Sequence, residues 1–327
     1  MTLLRLVFLG SDAIALPLLD WLACEGSAIA HVVAVFTQPD RAVGRGQKIS
    51  PNAIKQWTLA RGLPVFQPEK ITAETNAQLA ALHADVALVM AYGHILRDEF
   101  IGTPRLGTLN LHTSLLPKYR GASPIQTAIA NGERETGVTL MRIVRQLDAG
   151  PLADVERVAI APLDTAADIE GKLSVACVPL LTRALPRLRD GSLAFVSQDN
   201  ATVTYCRKLT KDDGALDFCA PASVLAARIN GLFPWPTCSI EIAGQPVKVG
   251  LADARDGVGV PGVVIGADAD GVLVGTGSRL LRLRRLQRAG GKMLGGAEFL
   301  RGFKVAPGTQ LALRPMPALV APAPFPR

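Results

Sequence analysis

The first 160 residues alternate between short apolar runs typical of strands and amphipathic stretches typical of helices. We expect a helix over 13–24, directly after the first run, and a longer one from Asp164 and Thr165 to about Leu188. This alternation favours an α/β fold, a Rossmann-like open and mostly parallel sheet with helices on both faces. Four runs predict buried strands of that sheet: LRLVFLG at 4–10, HVVAVF at 31–36, VALVMAY at 86–92 and GTLNLH at 107–112.

A polar stretch, TQPDRAVGRGQKIS, occupies residues 37–50 between the second strand and the next helix. It is long for a strand-to-helix connection. We expect it to be a loop that ends at a helix with Ser50 as its N-cap and Pro51 at its first helical position.

Two further apolar runs, TGVTLMRIV and ADVERVAI, flank LDAGP and predict a hairpin-like pair at the edge of the sheet. From about Pro236 the strands become short and the turns glycine-rich, which is typical of a small barrel or sandwich. The tail is rich in proline and alanine, so we expect it to be extended or frayed and assign it no function. The predicted division is an α/β catalytic domain at 1–190, a linker at 191–209, a smaller all-β, OB-like barrel at 210–314 and the Pro-rich tail at 315–327.

The positive charge of the chain is unevenly distributed. Residues 1–203 carry 19 Lys and Arg against 19 Asp and Glu, whereas residues 204–327 carry 16 against 9, so the formal net charge of +7 lies entirely in the second part. This bias suggests a polyanionic partner such as a nucleic acid. A basic surface without such a partner would have the same composition.

The remaining composition excludes several classes of protein. The chain is 49% apolar and 19% charged, which is ordinary for a folded globular protein. Its five cysteines form no C-x-x-C pair and no zinc-ligand spacing, so we expect neither a disulfide framework nor a metal site. We find no signal-peptide pattern and no window of 18 uninterrupted apolar residues. We therefore expect a cytoplasmic protein without a membrane partner, and a monomer, since nothing in the sequence demands an oligomer.

The densest group of chemically informative residues lies between Gly107 and Gln126. Asn110 and His112 are two positions apart on a predicted strand, so both side chains leave the same face. The strand is expected to end there, at the carboxyl edge of an open α/β sheet, where ligand crevices form. One amide and one imidazole are therefore predicted to point into the same crevice.

Asp148 supplies a carboxylate for the same crevice, because it follows an apolar strand within the tight connection QLDAGP. A carboxylate beside an imidazole orients it, or holds a water that moves a proton. No serine or cysteine stands at a nucleophile elbow, which argues against a covalent acyl-enzyme. The set suits direct acyl transfer to an amine, in which the tetrahedral oxyanion needs hydrogen-bond donors.

At NLHTSLLPKYRGASPI and GERETGVTLMRIVRQLDAGP the sequence resembles the active-site signature of the folate-dependent formyltransferases. The stretch from Thr37 to Ile71 resembles the insertion loop and following helix of the members that act on initiator tRNA. The segments LTKDDGALDF, INGLFPWPTCSIEIAGQPVKV and GKMLGGAEFLRG resemble the C-terminal OB-like domain of those members. The resemblance covers nearly the whole chain.

The resemblance implies formyl transfer from 10-formyltetrahydrofolate to the α-amino group of methionine on initiator tRNA, for initiation of translation. It implies catalytic roles for Asn110, His112 and Asp148, without a metal. The residues that it places at the folate are Met90, Ala91, Tyr92, Ser114, Leu115, Leu116 and Pro117. The residues that it places at the tRNA are Arg41, Arg45 and Lys48.

Three alternatives stay open at this point. Formyl transfer to the amine of a sugar nucleotide would use the same core, and so would a hydrolase that releases formate from the folate, although the hydrolase needs neither the basic loop nor the basic barrel. A nucleic-acid-binding OB protein with an inactive α/β domain would need the barrel alone. The intact set of Asn110, His112 and Asp148 argues against the last alternative.

Overall fold

The computed structural model describes residues 2–43 and 46–326. The chain divides into two compact units, and each gathers several stretches of sequence. The first unit comprises Met1–Arg120, Gly137–Val158 and Gly171–Val203, and the second comprises Gly121–Thr136, Ala159–Glu170 and Thr204–Arg327. The domain limits predicted from the sequence stay predictions.

The described residues form helices and strands in the following order. The α-helices are α1 (Leu16–Ala23), α2 (Ala53–Ala60), α3 (Ala73–Ala81), α4 (Asp98–Gly102), α5 (Pro124–Ala130), α6 (Ala166–Arg189), α7 (Ala222–Gly231) and α8 (Gly296–Gly302). The strands are β1 (Leu4–Gly10), β2 (Ala30–Phe36), β3 (Arg41–Val43), β4 (Lys48–Ser50), β5 (Val65–Phe66), β6 (Val86–Met90), β7 (Thr108–His112), β8 (Arg120–Gly121), β9 (Glu135–Arg142), β10 (Leu152–Ala159), β11 (Tyr205–Cys206), β12 (Cys238–Ile242), β13 (Gln245–Arg255), β14 (Val264–Ala267), β15 (Val272–Gly275), β16 (Leu280–Arg288), β17 (Leu294–Gly295) and β18 (Val320–Ala321).

A seven-stranded sheet carries the first unit, in the order β10-β9-β7-β6-β1-β2-β5. Its central neighbours are parallel, as β1 is with β2 and with β6, and as β6 is with β7. The antiparallel pairing begins at the edge, where β9 runs against β7. Every residue of β6 is buried, since helices cover both faces of a parallel sheet. The predicted α/β fold with an edge hairpin is confirmed.

The polar stretch after β2 is not a plain loop. Arg41 pairs with Ser50 in the short antiparallel hairpin of β3 and β4. The following helix, α2, begins two residues later than predicted, with Asn52 as its N-cap accepting from the backbone N–H of Lys55 at 2.9 Å. The prediction of Ser50 as the cap was therefore wrong, because Ser50 belongs to a strand.

The second unit contains an antiparallel sheet in the order β12-β13-β16-β15-β14, with β17 paired to β16. This sheet confirms the predicted smaller β domain, and its buried residues share one hydrophobic core with Leu225 and Ile229 of α7. Helix α5 also packs in this unit, since a Cβ on Gly231 of α7 would lie 2.4 Å from the backbone nitrogen of Ala130. The glycine thus permits the two helices to approach backbone to backbone.

The Pro-rich tail is extended and paired with the second unit. Its strand β18 runs antiparallel to β11, with Val320 opposite Cys206. Leu319 is buried in the same core. The carbonyls of Pro317 and Ala318 accept hydrogen bonds from arginine side chains of the second unit. The tail therefore contributes packing and acceptors to this unit.

Among the helices of the described residues, none has both the length and the apolar character that a membrane span requires.

Candidate active site

Asn110 and His112 lie on β7, whose neighbours are β6 on one side and β9 on the other. In the β7–β9 ladder Asn110 is opposite Met141 and His112 is opposite Thr139. Asn110 and His112 are two positions apart on the strand, so their side chains lie on the same face of the sheet, as predicted. Asn110 is half-buried and His112 is 7% exposed. Both therefore stand at the carboxyl end of a central strand of the sheet.

The imidazole of His112 has a distinct partner on each side. Its Nε2 lies 2.9 Å from the backbone carbonyl of Tyr119, and its Nδ1 lies 3.8 Å from Oδ1 of Asp148. A carbonyl only accepts, so Nε2 carries the proton of that hydrogen bond. Nδ1, on the side of Asp148, is then the ring nitrogen that carries a lone pair.

Asp148 is brought to the histidine by the turn between β9 and β10. Its backbone has φ of +49°, in the left-handed region. Two residues later, a Cβ on Gly150 would lie 1.9 Å from the carbonyl oxygen of Arg142, so only glycine fits there. The carboxylate is 13% exposed, and it faces His112 in a site from which water is largely removed. The structure thus brings together the three residues predicted to be catalytic.

The loop after β7 is organised by Thr139 of β9. The Thr139 hydroxyl donates to the carbonyl of Ser114 at 2.6 Å and accepts from the N–H of Leu116 at 3.2 Å. The Ser114 side chain is buried and donates to the carbonyl of Lys118 at 2.7 Å, so its hydroxyl is used inside the loop. Leu115 and Pro117 follow His112 in this loop and are half-buried, so part of their apolar surface is exposed.

A second loop predicted at the folate follows β6. Gly10 of β1 pairs with Met90, and the N–H of Ser11 donates to the carbonyl of Ala91 at 3.1 Å. The Met90 side chain is buried, whereas Ala91 is exposed with a positive φ of 49°. The Tyr92 hydroxyl is buried without a hydrogen-bond partner among the described residues, and burial raises the pKa of this phenol. Tyr92 therefore remains neutral.

The start of the basic loop, residues 37–50, is attached to the start of α2. Asn52 Nδ2 donates to Thr37 Oγ1 at 2.9 Å, and Lys55 Nζ pairs with Asp40 Oδ2 at 2.7 Å. A hydrogen bond from Gln67 and the ion pair with Lys55 hold the pKa of Asp40 below its ordinary value. Arg41 and Lys48 are exposed on the hairpin. Arg45, the third cation predicted there, lies outside the described residues.

Two side chains of this site were absent from the sequence-based prediction. Arg120 is buried, at 5% exposed, and it hydrogen-bonds to Gln198. Gln198 in turn donates to the backbone of the Asp148 turn. It belongs to an aperiodic stretch that was predicted as a linker, so no pattern marked it. Arg120, by contrast, lies within the motif NLHTSLLPKYRGASPI, close in sequence to the predicted folate residue Pro117.

Within residues 2–43 and 46–326, no cluster of three or more His, Cys, Asp or Glu side chains could hold a metal ion.

Comparison of the sequence with known protein families identifies the class of protein to which this fold and site belong. Residues 4–185 match the formyl transferase family, and residues 208–304 match the formyl transferase C-terminal domain. The chain belongs to the formyl transferase family, so the resemblance seen in the sequence is confirmed.

Particular relatives span nearly the whole chain. The methionyl-tRNA formyltransferase of Pseudomonas savastanoi pv. phaseolicola is 42% identical over 94% of this chain and 98% of its own. The methionyl-tRNA formyltransferase of Chromobacterium violaceum is 41% identical over 95% of this chain and 100% of its own. Both relatives therefore match the chain across its N-terminal and C-terminal family segments.

Solved structures share the fold at low identity. The N-formyltransferase from Helicobacter canadensis, in complex with folinic acid and dTDP-3-aminofucose, has a TM-score of 0.63 at 18% identity, over 86% of this chain and 99% of that chain. HypX from Aquifex aeolicus, in complex with tetrahydrofolic acid, has a TM-score of 0.59 at 17% identity, over 91% of this chain and 47% of that chain. These likenesses concern the fold alone.

Proposed function

We propose that the protein transfers a formyl group from 10-formyltetrahydrofolate to the α-amino group of methionyl initiator tRNA. The observation that carries the proposal is the convergence of Asn110, His112 and Asp148 at the carboxyl end of β7. The relatives of about 40% identity support this acceptor, because they bear the name methionyl-tRNA formyltransferase and match nearly the full chain. The protein then acts in translation initiation, in the cytoplasm.

The residues beside the triad fit a folate donor. A flat ring system needs apolar surface and a few backbone hydrogen bonds. Leu115 and Pro117 are half-buried, and the backbone after Met90 ends at the same sheet edge as β7. Ala91 and Tyr92 would contribute main-chain groups there, while Ser114 and Leu116 would shape the loop. The donor supplies an activated formyl group, and the chain supplies its position.

Each catalytic side chain has one task in this reaction. The Asn110 amide donates to the formyl oxygen as it becomes negative on attack by the amine. His112 Nδ1 takes the proton that the amine loses and, as the imidazolium, returns it to the departing folate nitrogen. Asp148 balances the positive charge of the imidazolium. Atoms and charge balance, since the new C–N bond replaces the old one and one proton moves between the two nitrogens.

The basic loop supplies a means of binding tRNA. Arg41 and Lys48 are exposed, and the cations of such a segment bind phosphates with little demand on geometry. We assign Arg41, Arg45 and Lys48 to contacts with the acceptor end. The charge excess of residues 204–327 favours the same polyanionic partner. A monomer satisfies the proposal, because all three catalytic residues come from one chain.

The decisive experiment compares acceptors. The purified protein is incubated with 10-formyltetrahydrofolate and methionyl initiator tRNA, an amino sugar nucleotide, or water alone. The formylated product and free formate are then quantified. We expect formyl-methionyl-tRNA as the main product. Preferential formylation of the sugar nucleotide, or release of formate at the same rate without an acceptor, would replace the proposal with the corresponding alternative.

A further inference from the structure

The side chain of Gln198 connects two parts of the active site that are distant in sequence. Its amide oxygen accepts from Arg120 Nε at 3.0 Å and from Arg120 Nη2 at 2.6 Å. Its amide nitrogen donates to the backbone carbonyls of Asp148 and Gly150, each at 2.8 Å. Both lone pairs and both N–H groups of the amide are therefore in use.

The chemistry of its partners fixes which way this amide points. A guanidinium group only donates and a backbone carbonyl only accepts, so the oxygen must face Arg120 and the nitrogen must face the turn. A flipped amide would place like groups against each other in all four contacts. Gln198 thus holds the turn in one orientation, with a buried charged residue as its anchor.

The turn that Gln198 holds needs an external constraint. Asp148 is a non-glycine residue with φ of +49°, a left-handed conformation that is unfavourable for a residue with a Cβ and persists when its surroundings impose it. The two carbonyls that accept from Gln198 lie on either side of Ala149. Because Gln198 holds both carbonyls, it determines the path of the backbone that carries the Asp148 carboxylate.

The same anchor reaches the histidine. Arg120 directly follows Tyr119, whose carbonyl lies 2.9 Å from His112 Nε2. The dipeptide 119–120 therefore contacts the imidazole directly and contacts the Asp148 turn through Gln198. His112 Nδ1 and Asp148 Oδ1, which are 3.8 Å apart, thus belong to two segments that are both connected to this dipeptide.

We infer that Gln198 is a positioning residue for formyl transfer, which sets the Asp148 carboxylate against His112 and is itself held by Arg120. The inference rests on the proposed function, because it assigns Gln198 a role in that reaction. It predicts an effect on turnover and not on substrate binding, since the hydrogen bonds of Gln198 within the described part of the chain go to Arg120 and the turn.

Gln198→Glu is the sharpest test. The carboxylate keeps the length of the side chain and an oxygen for Arg120, but it has no N–H to donate to the two carbonyls. We expect kcat to fall on the order of tenfold to a hundredfold, as small misplacements in active sites do, with unchanged KM for tRNA and folate. Gln198→Met, which lacks both hydrogen-bonding ends, is expected to lose at least as much. Ser197→Ala, at the exposed neighbouring position, serves as the matched control and is expected to keep the wild-type kcat.

A double-mutant cycle with Asp148→Asn separates positioning from a general structural effect. If Gln198 acts through Asp148, adding Gln198→Glu to Asp148→Asn lowers kcat little further. A full multiplicative loss in the double variant would overturn the inference, and so would a wild-type kcat in Gln198→Glu. Either result leaves the proposed function standing as long as the wild-type protein formylates methionyl-tRNA.

Hydrogen exchange gives a readout that does not depend on activity. We expect the amides of residues 146–151 to exchange faster in Gln198→Glu than in the wild type and in Ser197→Ala, while the rest of the sheet is unchanged. Unchanged exchange in this turn would refute the positioning role even if the wild-type protein used another acceptor. Failure of the proposed function would appear separately, as absence of formyl-methionyl-tRNA with the wild-type protein.

Discussion

His112 is held more firmly on one side than on the other. The Tyr119 carbonyl fixes Nε2 at 2.9 Å, whereas the 3.8 Å to Asp148 exceeds a hydrogen bond. In the proposed mechanism, the nitrogen that exchanges the proton is thus oriented by a neutral acceptor, and the carboxylate acts on it through its charge. This arrangement lets Nδ1 take and return a proton without first breaking a strong ion pair.

Substitution of the two assigned catalytic residues on β7, Asn110 and His112, tests their roles directly. We expect Asn110→Ala and His112→Ala each to lose a hundredfold or more in turnover, about 3 kcal/mol of transition-state stabilisation, because each removes a group directed at the oxyanion or the transferred proton. Steady-state kinetics with saturating folate measures the loss. His31→Ala, at an exposed position of β2, is the matched histidine control. Turnover near the wild-type value in either β7 variant would remove that residue from the mechanism.

Asp213 is a buried carboxylate of the second unit with a structural task. Its partners are the Arg207 guanidinium and the backbone N–H of Thr210, the latter at 2.7 Å. Burial alone would raise the pKa of Asp213, but these two partners hold it below its ordinary value. The ionised form is therefore the form that stabilises the folded unit.

We expect Asp213→Asn to lower the free energy of unfolding by about 2–3 kcal/mol at pH 7, because it leaves Arg207 facing an amide. The pKa of Asp213 is lower in the folded state than in the unfolded state, where it is about 4. The stabilisation is therefore complete above about pH 4, and it is lost as the pH falls below that value and through the folded pKa. Urea unfolding at pH 7 and pH 3 measures both. The exposed Asp212→Asn is the control. If the difference in unfolding free energy between the wild type and Asp213→Asn were as large at pH 3 as at pH 7, the stabilisation would not come from the ionised Asp213.

At the scale of elements, the basic loop contains a hairpin whose base is fixed and on which the described cations, Arg41 and Lys48, are exposed. Asn52 and Lys55 of α2 hold Thr37 and Asp40 at its start, so the hairpin projects from a defined base. Substitutions at its exposed cations are therefore expected to change binding and not folding.

We expect the double substitution of Arg41 and Lys48 by Glu to raise the KM for tRNA and leave the KM for folate unchanged. Each lost phosphate contact lowers the slope of log affinity against log salt by roughly 0.7 to 0.9. Filter binding at several salt concentrations measures this slope. Arg187→Glu, an exposed charge reversal on α6, controls for the effect of a charge reversal outside the loop. An unchanged slope in the double variant would mean that these cations do not contact the tRNA backbone.

The elements also show what the sequence could predict. Asn110 and His112 were found because a strand places every second side chain on one face, a rule that needs no tertiary contact. The cap of α2 was misplaced because Ser50, a good N-cap by residue type, is paired with Arg41 in a hairpin that local pattern does not reveal. Gln198 left no signal in the sequence, since its proposed role depends on contacts with residues 50 and 78 positions away.

At the scale of the whole molecule, the second unit depends on the end of the chain. Leu319 is buried in its core, and Arg228 and Arg207 donate to the carbonyls of Pro317 and Ala318 at 3.0 and 3.2 Å. The tail therefore stabilises this unit, whatever further role it has.

We expect a chain that ends after Arg314 to lose about 3 kcal/mol of stability in the second unit, from the exposed core at Leu319 and the lost acceptors. Thermal unfolding of the truncated and full chains measures the loss. Truncation after Ala321 keeps β18 and both carbonyls, so it is the control. Equal stability of the two truncated chains would show that residues 315–321 contribute nothing.

The close packing of α5 against α7 has a consequence for the order of events during synthesis. Helix α5 ends at Ala130, but Gly231, which lets α7 approach it, is made about a hundred residues later. At roughly 5 to 20 residues per second, the ribosome takes about 5 to 20 seconds to make that partner. A nascent chain therefore holds α5 without its neighbour for seconds, long after the strands β1, β6 and β7 have emerged to pair. The second unit therefore cannot complete its packing before the ribosome has finished α7.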